Sequence, residues 1–200
     1  MIGLKGISVF INNRSILENI NIILDKYKLT IINGHNGAGK STLLRVMAGI
    51  QKSNQGDIVY DEDNLLDRSS FVFQKPIFLN RSVKDNLLYI SKLSKNSVTE
   101  QNIYNKLKSL ELEYLWDMPA KKISGGEQQI IAFIRSTINK PDIIFLDEPI
   151  SNLDLKYKDI IISEISKLSE NTKIVITSQT NEINGKLLGE VFMLNNGKIL

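Results

Sequence analysis

Gly34-His35-Asn36-Gly37-Ala38-Gly39-Lys40-Ser41-Thr42 decides how this 200-residue chain is read. The stretch fits G-x-x-x-x-G-K-[ST] and follows the short apolar run Leu29–Ile32, as a strand-to-helix phosphate turn must. After it, Leu43, Leu44, Val46, Met47 and Ile50 recur at helical spacing over Ser41–Ile50, and Gly49 suits the C-terminal end of that helix. In such a turn the glycines let backbone N–H groups converge on α- and β-phosphates, Lys40 carries positive charge toward the β/γ oxygens, and the Ser41 hydroxyl is a magnesium ligand. Gly34, Asn36, Gly37, Ala38, Gly39, Lys40, Ser41 and Thr42 are therefore the phosphate-binding residues. The competing interpretation, a chance glycine-rich turn, leaves the flanking strand and helix unexplained. His35, the only histidine, reads as an exposed spacer rather than a ligand.

Working outward, Leu4–Ile11 and Ile20–Leu24 read as strands of an antiparallel N-terminal section, and Ile58–Tyr60 and Ser70–Phe73 as further strands. Val83–Leu115 is mostly helical in pattern. Ile143–Leu146 and Lys173–Thr177 are buried strands on either side of a helix at Leu155–Leu168. Val191–Leu194 and Lys198–Leu200 meet at Asn195-Asn196-Gly197, a turn that tolerates positive φ. Continuous apolar strands alternating with helices imply an α/β fold with a parallel sheet covered on both faces.

Composition sets the bounds. A hydrophobic fraction of 42% at this length gives one substantial core and one globular unit. A net charge of +3 without a basic stripe is no nucleic-acid footprint, so no nucleic-acid partner is expected, and Lys121-Lys122 reads as solvated surface. The absence of cysteine excludes disulfides, thiolate metal sites and thiol nucleophiles, and is compatible with a reducing cytoplasm. Met1–Leu17 has no unbroken apolar core of a signal peptide and reads as mature protein. The apolar runs fall far short of the roughly 20 residues that span a bilayer, so any membrane role comes through a partner.

A second chemical cluster is Ile143-Ile144-Phe145-Leu146-Asp147-Glu148-Pro149, a buried strand with two carboxylates at its C-terminal end, where ligands bind in such sheets. There Asp147 is placed to hold Mg²⁺ through water, and Glu148 to polarise an attacking water as general base. Standing alone, the pair would also suit an acidic strand end facing solvent.

Between these clusters lies Ile123-Ser124-Gly125-Gly126-Glu127-Gln128-Gln129, followed by an apolar-periodic helix. Taken plainly, it is a helix N-terminus with a Ser cap and two glycines, suited to anions or serving as an ordinary cap. Its place between the phosphate turn and Leu146-Asp147-Glu148-Pro149 resembles the signature of the ATP-binding cassette family, and the resemblance covers essentially the whole chain. It implies a P-loop NTPase fold with a RecA-like core, an N-terminal antiparallel β section and an inserted α-helical signature subdomain. Residues 1–200 would form a single nucleotide-binding domain, with the helical subdomain at about 76–137. Gln74 falls at the family's Q-loop, where it senses the γ-phosphate and the metal, and Ser151-Asn152-Leu153-Asp154 resembles the D-loop. The resemblance thus adds Gln74, Ser124, Gly125, Gly126, Gln128 and Asp154 to the nucleotide set, and Gln74 to Ser41 and Asp147 at the metal.

It further implies a homodimer in which ATP and Mg²⁺ lie between Lys40 of one cassette and Ser124-Gly125-Gly126 of the other. ATP would close this dimer and hydrolysis would open it. Separately encoded membrane-spanning permease subunits would dock on the helical subdomain and hold the cassette at the cytoplasmic face of the membrane. Phe78, Leu79 and Val83 are the docking candidates, each of which also reads as core packing.

Three departures from the family pattern follow. In Ile174-Val175-Ile176-Thr177-Ser178-Gln179-Thr180 the switch histidine is missing. Gln179 is the best match, with Ser178 in its place if the register shifts by one. An amide donates a hydrogen bond without the charge of an imidazolium, so hydrolysis is either slowed or the site tolerates the exchange. The aromatic residue that stacks on adenine is expected at Ile11, with Phe10 adjacent. Ile130 stands where an arginine often follows the signature, and reads as a packing change.

Neither the long coiled coil of chromosome-type relatives nor the paired cassettes of translation-type relatives is present, so a transporter subunit leads. Phe71–Val83 and Met118–Lys122 look similar to oxyanion importers of the tungstate type, which work with a periplasmic or surface binding protein. A haem-exporter type is the runner-up within transport, and a soluble regulatory or assembly ATPase is the reading from another class. Because the last strand runs almost to Leu200, an appended regulatory domain is not expected.

Overall fold

The computed structural model describes residues 1–24, 28–60, 66–93, 98–179, 183 and 185–200. Along the chain its elements are β1 (Ile2–Ile11), β2 (Arg14–Leu24), β3 (Leu29–Asn33), α1 (Lys40–Met47), β4 (Gln55–Tyr60), β5 (Ser69–Val72), α2 (Val83–Leu93), α3 (Glu100–Ser109) and α4 (Gly125–Thr137). β6 (Ile143–Asp147), α5 (Leu155–Leu168), β7 (Lys173–Ser178), β8 (Glu190–Asn195) and β9 (Lys198–Ile199) complete it. Among the described residues the strands form an antiparallel sheet, β2-β1-β4, and a six-stranded sheet, β5-β6-β7-β3-β8-β9, parallel except for the β8–β9 hairpin.

The expected α/β fold is therefore present, with its antiparallel N-terminal section. Several strands are longer than the pattern suggests, β2 by the most. β2 begins at Arg14 rather than Ile20, because Asn12 and Asn13 take left-handed φ values of 48° and 60° and pair Ile11 directly with Arg14. Val83–Leu115 resolves into α2, α3 and a single turn at Glu113–Leu115, and the Thr99 side chain caps α3 by accepting from the Asn102 N–H. Ser94–Ser97, within that stretch, lie outside the described residues.

Strand periodicity explains why the central strands lack polar alternation. In β6, Ile143 and Phe145 join the core beneath the antiparallel sheet, whereas Ile144 and Leu146 join the core under α4 and α5. β7 repeats this, with Val175 on one side and Ile174 and Ile176 on the other. Each such side chain contributes about 1.5–3 kcal/mol by leaving water. α1 is packed between the two sheets through Leu43, Leu44, Val46 and Met47, and its first residue, Lys40, follows the turn that leaves β3.

An ion pair ties the helical region to α5. Glu164, 6% exposed, is bonded by Lys106 of α3 and by Lys167 at 3.3 Å. Burial alone would raise the Glu164 carboxyl, but the two lysines outweigh it and hold it below the usual range. A depressed carboxyl stabilises the fold above its ordinary pKa and loses that contribution as pH falls through the depressed value. Lys106→Met is accordingly expected to cost about 1–2 kcal/mol in denaturant unfolding at neutral pH, with the gap to the parent closing as Glu164 protonates.

Candidate functional site

Glycine is required in the phosphate turn by its neighbours. A Cβ on Gly34 would lie 2.3 Å from the Leu194 carbonyl oxygen, and one on Gly39, at φ 102°, would lie 2.8 Å from that of Ile16. The turn is thus wedged between the β1–β2 section and β8. His35 is exposed as expected, although its ring is not idle: Nδ1 lies 2.7 Å from the Asn36 carbonyl, and Nε2 lies 3.2 Å from the side-chain oxygens of Asn195 and Asn196.

The turn, β6 and β7 converge on one polar cluster. The Lys40 ammonium donates to the carbonyls of Gly34 at 2.9 Å and His35 at 3.0 Å, and pairs with Glu148 Oε1 at 3.1 Å. The two charged side chains are only 4% and 6% exposed. Glu148 Oε2 accepts from the Gln74 amide at 2.9 Å and from the Gln179 amide. Its backbone is left-handed at φ 49°, and its N–H donates to Thr177 Oγ1 at 2.9 Å. Asp147 Oδ1 accepts from Ser41 and from Thr177, each at 2.9 Å.

Asp147 Oδ2 is buried without a hydrogen-bond partner. Burial raises the Asp147 carboxyl, opposed by the hydroxyls of Ser41 and Thr177 and the charge of Arg45. An orphaned carboxylate oxygen beside a serine hydroxyl fits a hard divalent cation. Among the described residues there is no group of three or more His, Cys, Asp or Glu placed to hold a metal. Magnesium takes one or two protein oxygens and completes its shell with phosphates and water, a demand that Asp147 and Ser41 can meet. Gln74 turns its amide nitrogen to Glu148, so only its carbonyl oxygen could serve a metal.

Thr177 lies outside the set of site residues that the motifs mark, yet it contacts both acids. Its signal is the first of two hydroxyls that end the apolar run Ile174–Ile176, and the parallel register sets Thr177 directly across from Asp147. The same register sets the two switch candidates apart: Ser178 is buried opposite Asn33, whereas Gln179 is exposed and its amide reaches Glu148. Thr180 lies outside the described residues. Beside Glu148 and Gln179 a cavity of 170 Å³ opens onto Ser151, Asn152 and Lys158.

Elsewhere, Ser124 caps α4 in a capping box with Glu127, and Ser124 and Gly125 are exposed. The Gln128 amide donates to the Ile123 carbonyl at 3.2 Å, and Asp154 caps α5 by accepting from the Tyr157 N–H at 3.0 Å. Among the described residues no hydrogen bond joins Ser124–Gly126 to the phosphate turn. Phe10 and Ile11 are both exposed, at 43% and 45%, and both stay open to a base. Ile130 is fully buried, as a packing residue should be.

Two docking candidates fall away. Phe78 is 7% exposed beneath the Arg135 guanidinium, 4.8 Å from its ring, and Val83 is wholly buried, which leaves Leu79 with the more exposed Ile77. The two stretches that looked importer-like lie against each other. Val83 N–H donates to the Met118 carbonyl and Ala120 N–H to that of Arg81, each at 2.9 Å.

The family model described as ABC transporter matches residues 17–151. A curated relative, the Fe(3+) ions import ATP-binding protein FbpC 1 of Pectobacterium atrosepticum, is 30% identical over 211 residues, covering 100% of this chain and 60% of that protein. The chain therefore spans less than two thirds of that relative's length. A bacterial ABC transporter cassette solved as a dimer is 26% identical with a TM-score of 0.84, covering 100% of this chain and 96% of that one. The same cassette in a dimeric post-hydrolysis state bound to ADP and Pi, also 26% identical, gives a TM-score of 0.82 over the same shares of both chains.

A carboxyl whose pKa burial has raised favours the fold while protonated and burdens it once ionised. In nucleotide-free protein Asp147→Asn is therefore expected to raise Tm by a few degrees, about 1 kcal/mol, at neutral pH. The gain should vanish where Asp147 is already neutral, and calorimetry across the acid range checks both arms.

Proposed function

Because the chain belongs to the ABC transporter family, we propose that it is the ATP-binding and ATP-hydrolysing subunit of a membrane transporter. The cluster in which Lys40, Glu148, Gln74 and Gln179 meet beside Asp147 and Ser41 carries this reading. ATP enters with its phosphates in the turn from Gly34 to Thr42, and Lys40 leaves Glu148 for the phosphate oxygens. That departure frees Glu148 Oε1 to accept the proton of the attacking water, while Gln74 and Gln179 keep Oε2 in place. Ser41, Asp147 and the carbonyl oxygen of Gln74 would hold magnesium, which would supply neutralisation of charge on the phosphates. Gln179 supplies a hydrogen bond without positive charge, which points to slow turnover with intact binding.

Residues 1–200 act as one nucleotide-binding domain, with the helical subdomain at about 76–137. Ser124, Gly125, Gly126, Gln128 and Asp154 serve the nucleotide of a second copy. The exposed signature turn and the dimeric form of a similar cassette support this. Among the described residues no helix is long and apolar enough to cross a membrane, so attachment at the cytoplasmic face runs through permease subunits that seat near Ile77 and Leu79. Import of a small anion such as tungstate, delivered by a periplasmic or surface binding protein, is the cargo reading. The resemblance of Phe71–Val83 and Met118–Lys122 to oxyanion importers supports it, and the import named for the FbpC 1 relative agrees in direction, though that name specifies ferric ions.

Magnesium-dependent ATPase assays on the assembled complex test the proposal. Glu148→Gln is expected to lower kcat by about 10²–10⁴ with ATP still bound, as loss of a general base does. Gln179→His should raise kcat several-fold, and an unchanged or reduced rate would contradict the slow-switch reading. Failure of the chain to copurify with any membrane-spanning subunit would contradict the transporter reading.

A further inference from the structure

The signature turn carries a charge problem. Its N-terminal amides favour an anion, yet Glu127 sits in the first turn of α4 and brings a negative charge of its own. Both of its oxygens are engaged. Oε2 accepts from the Ser124 N–H at 2.7 Å, and Oε1 accepts from the Tyr114 hydroxyl at 2.7 Å. The Tyr114 hydroxyl also lies 3.3 Å from that of Tyr157, in the first turn of α5, whose N–H is bonded to the capping carboxylate of Asp154. On its other side the Tyr157 ring is packed so closely that a Cβ on Gly126 would come within 2.9 Å of it.

We propose that Tyr114 and Tyr157 are positioning residues that clamp the Glu127 carboxylate away from the phosphate-receiving face of the signature turn and fix that turn to α5. The clamp rests on the reading that Ser124–Gly126 receives the nucleotide of a second cassette. It acts in trans: one copy's clamp conditions how well that copy accepts the ATP held by its partner. Hydrogen bonds on Glu127 outweigh the burial that would raise its carboxyl and hold it below the usual range, so it is charged at neutral pH. Without Tyr114, one carboxylate oxygen loses its donor and swings toward the incoming phosphates.

The test uses the full chain with Glu148→Gln, which blocks turnover, and reads two quantities: ATP binding to the monomer and ATP-driven dimerisation by analytical ultracentrifugation. Adding Tyr114→Phe, which removes one hydroxyl, is expected to leave Tm within a few degrees and monomer affinity within about twofold while weakening dimerisation about tenfold. Adding Glu127→Gln as well should restore dimerisation, because a neutral amide needs no clamp. Equal dimerisation with and without Tyr114→Phe overturns the clamp alone, as does a loss that Glu127→Gln fails to rescue. A Glu148→Gln parent that stays monomeric with ATP overturns the two-cassette reading and the clamp together.

Discussion

Lys40 has to keep its charge satisfied in a place that water hardly reaches. At 4% exposure an unpaired ammonium would carry a desolvation cost of several kcal/mol, so the resting site must supply a counter-charge. Glu148 does so at 3.1 Å, with the Gly34 and His35 carbonyls completing the donor set. The two residues that the proposed chemistry needs most are therefore each other's partners in the resting fold. On that proposal phosphate binding is an exchange, in which Lys40 would trade a carboxylate for phosphoryl oxygens and Glu148 would gain a free oxygen at the same moment. Base activation would thereby be linked to substrate binding without further moving parts.

The exchange depends on the frame behind it. The register between β6 and β7 brings Thr177 to Asp147, and a single hydroxyl then donates to Asp147 while accepting from the Glu148 backbone. Glu148 needs that support, since its left-handed φ of 49° is uncommon for a residue with a side chain. The buried, orphaned oxygen of Asp147 is the opposite sort of provision, a group left unsatisfied in the fold that a bound cation would satisfy.

Local motifs were the most legible part of the sequence. Gly34–Thr42, Asp147-Glu148 and Ser124–Gly126 each build one turn from consecutive residues, so the residue types and the backbone requirement coincide. The central strands were legible because both of their faces are buried, which leaves an uninterrupted apolar run. What the sequence does not announce depends on contacts between segments far apart in the chain. Thr177 matters only through strand register, and Gln179 separates from Ser178 only once the end of β7 is set against Asn33. Phe78 and Val83 look as suited to a docking surface as Leu79 until α4 and the loop at Met118 cover them. Lys106 and Glu164, likewise, meet across α3 and α5 with no pattern to announce it.

The central claim is that Lys40 exchanges Glu148 for phosphate. A double-mutant cycle of ATP affinity tests it most directly, measured by calorimetry without magnesium so that no variant turns over. Glu148→Gln should tighten ATP binding about tenfold where Lys40 is present, and by clearly less in a Lys40→Met background, because simple repulsion between Glu148 and ATP acts in both while the pairing acts in one. An equal gain in both backgrounds, or no gain in either, would contradict the exchange.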